Sequence, residues 1–156
     1  MDFRTSLESV IIPPSINSIG INPFTGCQNL EIRLLNNNHF KIVNGLLISN
    51  KGHLISYLED SEVVTIPTYV TSIGNRAFSR CKSLKRVNIS TSVTSIKNYS
   101  FSRCESLESI NIPYSVTSIG DYAFYKCNSL KRINIPRATS IGKECFPINC
   151  KVTISQ

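Results

Sequence analysis

Apolar positions recur along this chain with two periods at once. In the stretch LKRVNI (84–89), Leu84, Val87 and Ile89 are the inward candidates, and the closing V-x-I alternation predicts a strand. LESINI and LKRINI repeat that pattern further along. Over longer distances Ile66, Ile89, Ile112 and Ile135 fall 23 residues apart, as do Phe78, Phe101 and Phe124, and Cys81, Cys104 and Cys127. A fixed period in the range of roughly 20–50 residues is the signature of a solenoid. One coil cannot bury its Val, Ile, Phe and Leu alone, but neighbours stacked on it can.

Three clean copies define the unit, for example SVTSIGDYAFYKCNSLKRINIP from Ser115 to Pro136. VTSI at 70–73, 93–96 and 116–119 predicts a second short strand. The segments NRAFSRC and DYAFYKC predict a helical turn or short 3₁₀ piece, too short for a free-standing helix. Pro67, Pro113 and Pro136 end the first strand at the corner. Gly20, Gly74, Gly120 and Gly142 follow the second strand, where a backbone with φ > 0 is expected. Lys97 takes that place in one copy, so its corner is expected to be strained or differently shaped.

The pattern extends outward less cleanly. Val10–Leu30 is a full copy, Ala138–Phe146 is one residue short, and Lys151–Ile154 opens one more coil. Residues 35–62 break the rhythm. There FKIV-NG-LLIS carries an Asn-Gly turn between apolar runs, and SNKGHLISYL adds a second turn and strand. The expected architecture is therefore a single, mainly β, right-handed repeat solenoid over residues 1–156. It has coils of about 23 residues, short helical turns and a β-hairpin insertion at 35–62.

The motif IPxxVTSIGxxAFxxCxxLxxI at this spacing resembles the BspA-type leucine-rich repeat, and the insert FKIVNGLLISNKGHLISYL looks like an excursion seen in the same family. The resemblance implies leucine-rich-repeat coils. It also implies a non-catalytic binding or adhesion module, found chiefly on surface and secreted proteins of host-associated bacteria and parasitic protists.

Composition adds a charge asymmetry. The net charge is +7 over 156 residues. Residues 1–62 carry four Lys/Arg against six Asp/Glu, whereas residues 76–132 carry ten against three. The clean repeats are thus the basic part, which favours an anionic partner, whether acidic protein, glycan, phospholipid head group or nucleic acid. No apolar run reaches the roughly 18 residues of a membrane span. The start MDFRTSLESV lacks the basic flank and apolar run of a secretory signal. On that ground a cytoplasmic location stands as the alternative to the cell-surface or secreted one implied by the resemblance.

Candidate functional residues lie in rows. On the first strand one solvent-facing row is Ser9, Val63, Arg86, Ser109, Arg132 and Lys151; the other is Ile11, Thr65, Asn88, Asn111, Asn134 and Thr153. In a leucine-rich-repeat coil this face is the concave sheet that holds partners. Arg86 and Arg132 suit carboxylate, sulfate or phosphate groups. Asn88, Asn111 and Asn134 offer donors and acceptors, or else a ladder bonded to itself. The expected ligand is a protein or an acidic glycan, with no cofactor. A scaffolding role inside the cell is the alternative. Arg80, Arg103 and Lys126, with Lys82 nearby, form a lesser basic row on another wall.

Other chemistry finds little support. Cys27, Cys81, Cys104 and Cys127 share one repeat position and read as a buried thiol ladder. Cys145 and Cys150 are the better candidates for a bridge or a reactive thiol. There is no C-x-x-C pair, and His39 and His53 are the only histidines, so no metal site is expected. No G-x-S-x-G, H-E-x-x-H or Walker loop appears, and no base, nucleophile and orienter can be named. Nucleic acid would need aromatics among the bases. Here the phenylalanines read as core and the tyrosines as scattered, so that reading ranks last. The sequons at Asn88 and Asn98 matter only in a eukaryotic secretory path.

Overall fold

The computed structural model describes residues 7–27 and 29–155. The first part of the chain forms β1 (Ser9–Ile12) and β2 (Glu31–Leu34), and the insert forms β3 (Phe40–Val43), β4 (Leu46–Ser49) and β5 (His53–Tyr57). The clean repeats follow as β6 (Val63–Thr65), β7 (Ser72–Ile73), β8 (Arg86–Asn88) and β9 (Ser95–Ile96). They continue as β10 (Ser109–Asn111), β11 (Ser118–Ile119), β12 (Arg132–Pro136) and β13 (Ser140–Ile141), and β14 (Lys151–Ser155) closes the series.

Two walls result. The first holds β6, β8 and β10 in one parallel sheet, with β1–β2 and β12–β14 as separate parallel pairs. Equivalent residues pair across coils: Val64 with Val87, and Val87 with Ile110. The second wall is one seven-stranded sheet in the order β13-β11-β9-β7-β5-β4-β3. Its two-residue strands pair Ser on Ser and Ile on Ile. Thr94 and Thr117 reinforce it, each hydroxyl donating to the threonine carbonyl one coil earlier at 3.2 Å.

The insert continues this second wall. Its central strand β4 is antiparallel to both β3 and β5, and β5 runs parallel to β7 with Leu54 against Ile73. The hairpin turn is the one that Asn-Gly predicts, with Asn44 at φ 48° and Gly45 at φ 72°. Both faces of the meander are covered. Leu46, Ile48, Leu54 and Tyr57 join the large core of the repeats. Phe40, Leu47 and Ile55 join a second core with Ile12, Leu30 and Ile32. A strand buried on both sides needs an unbroken apolar run, which explains why Leu46, Leu47 and Ile48 are all buried. A polar group is caught there: the Ser56 hydroxyl is buried without a hydrogen-bond partner among the described residues.

The segments expected to be helical turns are not helical; the described residues contain no helix. They are arches of successive tight turns. Ala77, Ser79 and Cys81 each donate to the carbonyl three residues back, at 3.1–3.2 Å, while Arg76, Phe78 and Arg80 donate to the next coil at 2.7–3.1 Å. Left-handed residues enforce this alternation: φ is 59° at Arg76, 66° at Arg80, 57° at Tyr99 and 60° at Arg103. A helix would point every N–H along its own axis, whereas the arch sends every second one to its neighbour. Inside the arches run the aromatic rings of Tyr57, Phe78, Phe101, Phe124 and Phe146. Phe78 and Phe101 stack at 4.9 Å and Phe101 and Phe124 at 5.3 Å, with interplanar angles of 7° and 2°. Burying each such ring stabilises the fold by about 1.5–3 kcal/mol.

The corner glycines correct a second expectation. None of Gly20, Gly74, Gly120 and Gly142 has positive φ. Steric approach accounts for three of them. A Cβ on Gly74 would lie 2.5 Å from the Leu54 carbonyl oxygen, and one on Gly142 would lie 2.5 Å from the Asp121 backbone nitrogen. One on Gly120 would run into Asn98, whereas Gly20 has open space. Lys97 keeps the corner hydrogen bond, its N–H donating to the Ile73 carbonyl at 2.9 Å against 2.8 Å for Gly120 to Ile96. Its φ is not positive either, so its corner resembles the others.

Candidate functional site

Both predicted rows are solvent-exposed on the first wall. Arg86, Ser109 and Arg132 occupy the row on one side of the buried Val87, Ile110 and Ile133, and Asn88, Asn111 and Asn134 the row on the other. The period-two alternation of the strands puts them there. In register Arg86 stands beside Ser109 and Asn88 beside Asn111, while Arg132 stands beside Lys151 and Asn134 beside Thr153.

The asparagines do not form a continuous ladder. Asn88 donates its amide to the Thr65 hydroxyl at 3.2 Å, and Thr153 donates to the Asn134 oxygen at 3.2 Å. Between them the Asn111 side chain makes no hydrogen bond within the described residues. Arg86, Arg132 and Lys151 likewise make no ion pair there. The nearby Lys85 does: its ammonium meets Glu62 at 2.7 Å, and that hydrogen bond and charge raise the Lys85 pKa. The pair is exposed and holds the wall only weakly.

The first wall is interrupted. Lys85 N–H donates to Glu62 O at 2.7 Å and Glu108 N–H to Lys85 O at 2.9 Å. The next member of the series, Lys131 to Glu108, is not made among the described residues, and β12 pairs with β14 alone. A cleft of about 400 Å³ opens there, lined by Ser109, Ile110, Arg132, Ile133, Asn134, Lys151 and Thr153. The coil between β12 and β14 is shortened, with Asn134 and Thr153 19 residues apart instead of 23.

A second surface is new to the structure. Three of the six tyrosines are not scattered: Tyr99 and Tyr122 share one repeat position with Arg76, and Tyr125 packs against Tyr122. The Tyr99 and Tyr122 rings stack at 5.0 Å, and the Arg76 guanidinium lies 4.8 Å from the Tyr99 ring centre. Tyr125 meets Tyr122 edge-on at 5.6 Å, and Lys126 lies over Tyr125 at 5.4 Å. Glu144 beside Tyr122 is the main cause that raises its phenol above the ordinary range, followed by burial. Arg80, Arg103 and Lys126 run along the same arches at φ 66°, 60° and 59°. The spacing of Arg76, Tyr99 and Tyr122 is the repeat period, and counting from the corner residue would have found the row.

The six cysteines are free thiols. The Cys104 thiol donates to Phe78 O at 3.0 Å and the Cys127 thiol to Phe101 O at 2.9 Å, so the ladder fills the core and satisfies arch carbonyls. Burial, then contact with Cys127 and Cys81, pushes Cys104 well above the ordinary thiol range. Cys145 and Cys150, the candidates for a bridge or a reactive thiol, are not bridged, and burial raises the pKa of both. Cys145 shows this most strongly. It is buried, and desolvation pushes its thiol up to about 12, the reverse of what a nucleophile needs. His53 Nδ1 lies 2.7 Å from the Ser72 hydroxyl, but Ser72 is one rung of the serine ladder and no carboxylate is shown orienting the imidazole. Among the described residues no group of His, Cys, Asp and Glu could hold a metal ion, and no helix is long and apolar enough to cross a membrane.

Comparison with known proteins agrees with this geometry. The model of the BspA-type leucine-rich repeat region matches residues 3–63 and 56–155. No curated protein matches the chain. Among solved structures, the pneumococcal vaccine antigen PcpA superposes with a TM-score of 0.79 at 25% identity, over 96% of this chain and 39% of its own. A leucine-rich repeat protein of Eubacterium ventriosum gives 0.73 at 29%, over 87% and 37%. A leucine-rich cell surface protein of Faecalibacterium prausnitzii gives 0.71 at 27%, over 96% and 48%. The chain thus spans less than half the length of each of these proteins. By its repeats and by its stacked coils, the chain belongs to the BspA-type leucine-rich repeat family.

Proposed function

We propose that this chain is a non-catalytic protein-binding module, acting as one solenoid domain and displayed at a cell surface. It would bind through Arg86, Asn88, Asn111, Arg132 and Asn134. The observation that carries the reading is the pair of exposed rows on the first wall, whose central members, Arg86, Asn111 and Arg132, have no side-chain partner among the described residues. The sheet fixes their backbone in advance, so a partner has only the side chains to order. Similarity to a cell surface protein and a vaccine antigen supports the location.

A photo-crosslinking residue at position 111 tests it, with one at position 99 on the arch as control. Exposed to proteins of a host surface, position 111 is expected to capture a partner, and Asn88→Arg in the same chain, beside position 111 in register, is expected to abolish that capture. Capture only from position 99 sinks the reading. Acidic glycan is the alternative ligand for the same rows.

The stacked Arg76, Tyr99 and Tyr122 favour a second reading, polyanion binding along the arches. It predicts an affinity that falls steeply with salt, and a flat salt response removes it.

A further inference from the structure

We propose that the break in the first wall between β10 and β12 is a carboxylate-binding notch, which takes an acidic side chain of a protein partner. This rests on the reading of the first wall as a protein-binding face. Among the side chains that line the cleft, the charged ones are both donors. Arg132 and Lys151 stand side by side in register, Ser109 faces them across the break, and no carboxylate lines the cleft. The Asn134 oxygen is already taken by Thr153, which leaves its amide N–H₂ to donate. The Lys131 N–H, which would continue the inter-coil series to Glu108, is unused by that carbonyl. Ile110 and Ile133 form an apolar floor. Low polarity beneath and cations at the rim strengthen a charge-assisted bond, and the planar Arg132 fork suits the two oxygens of a carboxylate.

Width selects a side chain over a strand. A strand inserted between β10 and β12 needs roughly 9.6 Å, two interstrand spacings. β10 and β12 keep Cα atoms within 8 Å of one another, so a strand cannot enter between them, while the cleft of about 400 Å³ in front of them is open to a side chain.

The experiment measures fluorescence anisotropy of a labelled hexaglutamate peptide at low salt with the intact chain. Arg132→Gln/Lys151→Gln removes two charges at the notch, and Arg103→Gln/Lys126→Gln removes two on the arches. The notch variant is expected to bind about tenfold more weakly and the arch variant within about twofold of wild type. Equal losses in both variants would mean general charge attraction and would overturn the notch, as would failure of wild type to bind hexaglutamate. Tighter binding of a sulfated oligosaccharide that competes at Arg132 and Lys151 would also overturn the protein carboxylate. Thermal melts confirm that both variants fold. Loss of capture in Asn88→Arg with no notch dependence sinks the notch alone. Notch-dependent hexaglutamate binding without capture at position 111 sinks the wider face alone.

Discussion

The side-chain oxygen of Asn98 accepts the backbone N–H of Asp121 at 2.9 Å, and it occupies the space that a Cβ on Gly120 would need. One coil earlier Asn75 receives the Asn98 N–H at 3.1 Å, and one coil later Asp121 receives the Lys143 N–H at 2.8 Å. Gly and Asx at this corner are a latch between coils. Lys143 has no side-chain acceptor to pass onward, so the latch series ends there.

Gly120→Ala is therefore expected to destabilise the protein by about 1–3 kcal/mol, the usual cost of overpacking a rigid contact. Gly20→Ala, with open space at its Cβ, is expected to be neutral or slightly stabilising. Urea unfolding of the two variants checks the contrast, and equal effects would refute the steric account.

Phe101 is held between two parallel rings, so Phe101→Ala leaves a cavity inside a stack. The expected loss is about 3–5 kcal/mol. Hydrogen exchange should show the protection of the Phe78 and Phe124 arches falling together, since Phe78 N–H donates to Ser100 and Phe101 N–H to Ala123.

Ser56 offers the opposite test. Its hydroxyl is buried and unbonded, so Ser56→Ala is expected to raise stability by about 1 kcal/mol, read as a shift in denaturation midpoint. A destabilised variant would reveal a partner for that oxygen.

The thiols set a pH dependence at the alkaline end. Burial raises the folded pKa of Cys145 from the ordinary 9.0 to about 12. A raised pKa favours the neutral form in the folded state. The contribution is fully present below pH 9 and is lost as pH rises toward 12. Unfolding measured from pH 8 to 11 should show stability falling, with a shallower fall in Cys145→Ala. In the native protein, Cys104, Cys127 and Cys145 should resist iodoacetamide at pH 8, while Cys81 and Cys150, which are only partly buried, react first.

Features written within one repeat were legible in the sequence. The inward Val87 and Ile110, the Phe stack and the Asn44-Gly45 turn depend on a local pattern and its period. Features created between repeats were not. The corner glycines look like φ > 0 positions until the preceding coil is in place and Asn98 fills the space. The arch of Arg76 to Cys81 looks helical because helical and tight-turn segments share a compact apolar spacing; only the alternation of donors between coils separates them. The notch is invisible for a similar reason. Ser109 and Arg132 keep the regular spacing, and the irregularity that accompanies the break lies further on, in the short path to Lys151. The exposure of Arg86, Asn88, Asn111, Arg132 and Asn134 was legible because exposure on a strand follows from parity alone, but parity says nothing about which of them remain unpaired.

A stack of like coils has a mechanical weakness: a fault in one rung is handed to the next. The meander of β3, β4 and β5 works against this like a bulkhead in a hull. Leu47 and Ile55 seal one compartment, and Leu46, Ile48 and Leu54 seal the other. A breach among Ile12, Leu30 and Ile32 then stays on its own side, and the core of Val87, Ile110 and Ile133 behind Arg86 and Arg132 remains dry.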